Sequence, residues 1–223
     1  MRRSTTISII VAMILIVVGF CFMYFGAVGI DFDFSRLNTL AIETNTYKIE
    51  NTFDSIKINT SVCDVVFLPT EKEYCEVVFR EESKMKHSVK MSDNTLVIDY
   101  TNNKKWYDNI GIFWGKTDIT VYLPDNTYKD VKIETNTGDV ELKGFSFENL
   151  LISTNTGDVE LKGFSLESLL IFSDTGDVEI ADVETRELSA ETETGDVSLK
   201  KVYVRNGIDI KTDTGDVEIN IVK

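Results

Sequence analysis

The chain has 223 residues, 37 acidic against 23 basic, and a net charge of −14. So acidic a body argues against nucleic acid or anionic lipid as a direct partner, since both repel it. One histidine, three cysteines and no Cys-x-x-Cys or Cys/His cluster are read as excluding a zinc site and a histidine-based catalytic triad.

Residues 7–30 form an uncharged run of 24 residues, long enough to cross a bilayer as a helix. Arg2 and Arg3 precede it; Asp31 and Asp33 follow it. The positive-inside rule then puts residues 1–6 in the cytoplasm and the C-terminal body outside, as a single-pass protein of the cell membrane. A cleaved signal peptide is the rival reading, with Gly26-Ala27 near a cleavage point, but the apolar core is overlong for that class. Cys21 lies in the span and reads as an apolar filler. Without the two arginines, residues 31–223 carry −16 (−14 − 2).

Residues 31–52 read as a linker and a lead-in strand, and 53–223 as the ectodomain. Within it, Ile58 to Phe67 matches the later stretch Ile133 to Leu142, with Asp64-Val65 over Asp139-Val140 and Cys63 where a glycine stands. This predicts a degenerate early coil. Tyr74 to Arg80 predicts another strand. Val89 to Met91 and Leu96 to Tyr100 predict a hairpin around Asp93-Asn94. Cys63 and Cys75 lie on the oxidising side of the membrane, and adjacent strands could bring them into a disulfide. Residues 102–116 interrupt the pattern and hold Trp106, Tyr107, Phe113 and Trp114. They read as a long hairpin tip over an open sheet end, or as an aromatic contact patch for a partner, glycan or bilayer surface. Ile119, Val121 and Leu123 then alternate up to Pro124.

From Val131 onward the chain repeats. Thr137-Gly138-Asp139-Val140 returns at Thr156, Thr175, Thr194 and Thr214, at spacings of 19, 19, 19 and 20 residues. A fixed period near 20 marks stacked units that bury their apolar faces only against one another. Aligned on the turns, apolar columns emerge: Val131, Leu150, Leu169, Leu188, Ile208; Ile133, Ile152, Ile171, Ala190, Ile210; and the valines and Leu/Ile residues after each turn. Two weaker columns start at Phe145 and Phe147. Alternation at period two predicts strands with one buried face. Each coil reads as strand, turn, strand, second turn and a short third segment, stacked in parallel about 4.8 Å apart. The expected fold is all-β, a parallel β-solenoid with regular coils over 131–223.

Gly138, Gly157, Gly176, Gly195 and Gly215 are expected to supply a positive φ at a corner. Asp139, Asp158, Asp177, Asp196 and Asp216 are expected to accept backbone N–H bonds around it. A calcium ladder is the functional alternative, but the Gly-rich nonapeptide that carries such sites is missing. No metal, cofactor or catalytic residue is expected. The final strand, Ile219 to Val222, is followed by no capping helix, so this end of the stack is expected to offer a surface for self-association.

Ile119-Thr120-Val121-Tyr122-Leu123-Pro124, followed by strand–Thr-Gly-Asp-Val–strand units, resembles the putative adhesin family of bacterial β-strand-repeat proteins, also catalogued as a domain of unknown function. The resemblance covers roughly residues 50–221, and Cys63 in a glycine position departs from it. It implies a non-enzymatic, membrane-anchored envelope module that binds an unidentified protein or cell-envelope polymer. It implies, as an alternative, an accessory of an envelope-stress response acting through a membrane partner. A polysaccharide-acting enzyme is a remote reading, because the acids recur identically in every coil instead of marking one.

Overall fold

The computed structural model describes residues 3–29, 31, 41–102 and 116–222, in two units, the N-terminal helix and the β-body. Helix α1 (Arg3–Gly29) contains a 21-residue stretch, Ile9–Gly29, of mean hydropathy 2.7. Its apolar side chains point outward on all sides: Leu15, Phe22 and Phe25 are 65, 75 and 70% exposed. A helix apolar all round is suited to surroundings of lipid.

The β-body is a solenoid. Its strands are β1 (Ile42–Ile49), β2 (Ser55–Asn59), β3 (Asp64–Thr70), β4 (Cys75–Glu82), β5 (Met85–Ser92), β6 (Thr95–Asn102) and β7 (Asp118–Pro124). There follow β8 (Thr127–Thr137), β9 (Val140–Lys143), β10 (Ser146–Thr156), β11 (Val159–Thr175), β12 (Val178–Thr194), β13 (Val197–Thr214) and β14 (Val217–Ile221). From β8 onward all pairing is parallel and the columns stack in register. Val131, Leu150, Leu169, Leu188 and Ile208 are successive partners, as are Val140, Val159, Val178, Val197 and Val217. Val140, Leu142, Leu150, Ile152, Leu169, Ile171, Ile180 and Leu199 are essentially buried. Each such side chain stabilises by about 1.5–3 kcal/mol when removed from water.

Two outward residues in succession break the alternation three times per coil: at Lys162-Gly163, at Glu167-Ser168 and around Thr175-Gly176. A coil is therefore three segments joined by three bends, although β11, β12 and β13 each run unbroken through two of the bends. The first of these bends is held at positive φ by Gly144 (75°) and Gly163 (76°), then by Asp182 (53°) and Lys201 (55°).

The early half departs from a sequential stack. The degenerate coil β2–β3 pairs with β8 and β9 in the register read from the sequence: Ile58 on Ile133, Val65 on Val140, Phe67 on Leu142. Its other side carries β6 and β7, which come later in the chain. Coil β2–β3 is thus intercalated between β6–β7 and β8–β9. Antiparallel strands close that end. β4 pairs with β7, β1 with β4, and β5 with β6 through a hairpin whose turn residues Asp93 and Asn94 take φ of 45° and 65°. Positive φ at both central residues matches the right-handed twist of the flanking strands.

Candidate functional site

The Thr-Gly-Asp corners form one column on the outside of the stack. Gly157 has φ 142°, and a Cβ there would sit 2.6 Å from the Gly138 carbonyl carbon and nearer still to its oxygen. Only glycine fits, for the φ and for the approach of the coil beneath. Gly138, Gly176, Gly195 and Gly215 have φ of 143–148° and the same overlap. Cys63 takes the equivalent place without a positive φ. The neighbouring coil there is β6–β7, joined by a much longer segment than the three-residue corners.

Each aspartate bonds across coils and not around its own turn. The backbone N–H of Asp139 donates to Asp64 Oδ1 (3.0 Å), that of Asp158 to Asp139 (3.0 Å), and those of Asp177, Asp196 and Asp216 each to the aspartate one coil earlier (2.8 Å). Every corner is clipped to the next, and one carboxylate oxygen of each Asp from 64 to 196 is occupied by that bond. Among the described residues, no group of three or more His, Cys, Asp or Glu side chains is arranged to hold a metal ion.

A groove of about 580 Å³ runs along the stack over the short middle segment at five successive levels. Its floor is the strand backbone at Phe147, Leu166 and Thr185, whose side chains turn into the core. Its walls are two ladders: Thr127, Ser146, Ser165 and Glu184 on one side, Glu148, Glu167 and Arg186 on the other, with Arg205 at the end. Arg186 Nη1 donates to Glu167 Oε2 at 2.8 Å, and Arg205 pairs with Glu184. The groove thus passes from hydroxyls to bound charge pairs in steps of one coil, about 4.8 Å. Following apolar columns alone misses it. The polar column Glu148, Glu167, Arg186, Arg205 has the same 19-residue spacing and was legible by the same alignment.

The single histidine corrects one expectation. His87, on β5, is held in a buried relay. Its Nδ1 and its backbone N–H both meet Glu81 Oε2 at 2.7 Å, and its Nε2 lies 2.9 Å from Thr60 Oγ1. Asn45 Nδ2 donates to the other Glu81 oxygen at 2.9 Å, and the imidazole stacks on Phe79. The two ring nitrogens thus link Glu81 on one side to Thr60 on the other. Thr–His–Glu connectivity therefore exists with one histidine, and counting residues does not exclude it. Thr60, His87 and Glu81 are 2, 6 and 1% exposed. In that setting the relay satisfies a buried carboxylate and pins strands β4 and β5 across the closed end.

The expected disulfide is also corrected. Cys63 and Cys75 are free and buried. Cys63 precedes the Asp64–Asp118 pair, whereas Cys75 lies beyond the Glu76–Tyr122 pair at the other end of β7. Six residues of strand, about 20 Å, separate those levels, against the ~7 Å limit for a disulfide. Burial raises both thiol pKa values, that of Cys75 to about 12. Trp106, Tyr107, Phe113 and Trp114 lie outside the described residues.

The model of the family described as Toastrack DUF4097 matches residues 53–223. A structure named "putative cell adhesion protein" from Clostridium sporogenes superposes with a TM-score of 0.51 at 13% identity, covering 82% of this chain and all of that one. A "putative adhesin" from Bacteroides fragilis gives 0.43 at 16%, covering 82% and 97%. No curated protein matches.

Proposed function

The chain belongs to the Toastrack DUF4097 family, and from that premise we propose a non-enzymatic, membrane-anchored module of the cell envelope that holds an elongated partner along its groove. Helix α1 serves as an uncleaved anchor with the β-body outside the cytoplasm, as Arg2, Arg3, Asp31 and Asp33 favour. The observation that carries the reading is the groove itself. It extends over five levels of the stack and offers polar groups at a constant step. A ligand with its own repeat, such as an envelope glycan strand, can meet several coils at once, and weak contacts then add up. Glu167 and Glu184 are engaged by arginines, which suits them to binding rather than proton transfer. The name of the Clostridium sporogenes protein is in keeping with a surface-binding role.

The test uses the full chain in detergent and purified cell-wall sacculi. Ser146→Trp with Ser165→Trp fills the groove from outside and should reduce co-sedimentation at least several-fold. Lys57→Glu, away from the groove, should leave it unchanged. Equal retention of all three proteins, or none by the parent, rejects the reading.

A further inference from the structure

The two ends of the solenoid differ. At the closed end the interior is covered: Val77 and Phe79 on β4 and Leu96 and Ile98 on β6 are fully buried. At the other end the core columns come to the surface. Ile208 is 43% exposed, Val217 44% and Ile219 48%, although their partners one coil back, Leu188, Val197 and Leu199, are buried. Among the described residues, β14 pairs only with the first part of β13, and residues 203–214 have no strand on their outer side. Unpaired backbone and half-covered apolar side chains together make an edge that accepts another strand.

We propose that this edge pairs with the same edge of a second copy, β13 lying antiparallel on its counterpart about a two-fold axis through Ile210. Two observations select a second copy. First, this is the end that leaves its core columns half uncovered, so an interface burying such residues on both partners joins like ends. Second, residues 209–211 are self-complementary in charge. Asp209 and Lys211 are exposed and flank Ile210, the Lys211 ammonium also pairing with Glu191 of the preceding coil. In an antiparallel pair centred on Ile210 each Asp209 faces the partner's Lys211, and the contact occurs twice. Ile208 then faces Thr212, and Ile210 faces itself. Centring one residue earlier places Asp209 against Asp209, and centring two residues earlier places Arg205 against Lys211. Centring two residues later sets Lys211 against Asp213 but leaves Asp209 without a charged partner and puts Ile208 against Asp216, so charge and apolar matching together favour the register centred on Ile210. The pairing is independent of the groove and survives if the groove reading fails.

The experiment follows the mass of the full chain in detergent by light scattering across a concentration series, together with three variants. Asp209→Lys and Lys211→Asp each set like charges opposite one another twice, and each should weaken the dimer on the order of tenfold. The double exchange, Asp209→Lys with Lys211→Asp, should restore it, which a folding defect or association through α1 would not do. Ile210→Cys places two thiols on the axis, with Cα atoms about 4.5–5.5 Å apart, and should cross-link under mild oxidation; Asp182→Cys, remote on a bend, should not. A parent that is monomeric at every concentration overturns the proposal, as does a dimer indifferent to both single changes.

Discussion

At the scale of single residues, the glycine corners and the buried relay tolerate least. Gly157→Ala meets both a φ of 142° and the backbone of the neighbouring coil. It should cost about 2–4 kcal/mol in chemical denaturation, combining backbone strain with overpacking. Gly163→Asp should cost about 1 kcal/mol or less, because Asp182 holds the same bend one coil along at a φ of 53°. His87→Phe keeps the stack on Phe79 and the backbone N–H bond to Glu81 but removes the Nδ1 bond to Glu81 and the Nε2 bond to Thr60; leaving these buried groups unmatched should cost about 1–3 kcal/mol, readable as a lower denaturation midpoint. Cys63 and Cys75 should resist alkylation in the folded protein and react in denaturant without prior reduction, by mass spectrometry. Because the folded Cys75 thiol titrates near 12 against an ordinary 9.0, its contribution is complete below pH 9 and lost as pH rises from 9 towards 12.

At the scale of the element, the unit is the coil, not the strand. Stacked repeats touch only their neighbours. Removing Val159–Asp177, one full period, should bring Val140 under Val178 and leave a folded, shorter solenoid with a smaller denaturant m-value. Removing 18 residues instead turns every later side chain to the opposite face and should abolish cooperative unfolding. The regular coils were readable because the same decision is written five times: Val140, Val159, Val178, Val197 and Val217 share spacing, type and register. Coil β2–β3 was readable too, through Asp64-Val65, with Cys63 marking its irregular corner. The β5–β6 hairpin around Asp93-Asn94 was readable as well, but the antiparallel directions of β1 and β4 were not. Strands such as Cys75–Glu82 alternate equally well in either direction, and direction is set by which edge they meet. The groove and the His87 relay escaped for a related reason: both join side chains that sequence spacing holds apart, Thr60, Glu81 and His87 above all.

At the scale of the whole molecule, stability should be graded. The closed end has covered side chains and antiparallel seals, and the other end has half-exposed core columns. Amide hydrogen exchange should therefore be slowest in β3, β9 and the start of β11, and fastest in residues 203–222, with protection spreading inward from the open end. Protection of β13 that grows with protein concentration would mark the like-end pairing directly.

The intercalated coil has a consequence for how the chain comes into being. β2 and β3 leave the ribosome first among the parallel strands, yet both flanking layers, β6–β7 and β8–β9, are encoded after them. Until residue 143 has emerged, Ile58 and Phe67 lack one of the surfaces that later bury them. Growth cannot proceed layer upon layer from the N-terminus, as the regular coils would permit. The nucleus instead needs contacts spanning some 75 positions, such as Val65 with Val140, and long-range closure of that kind is slow. Once it forms, every later coil finds a finished template and can add in order of synthesis.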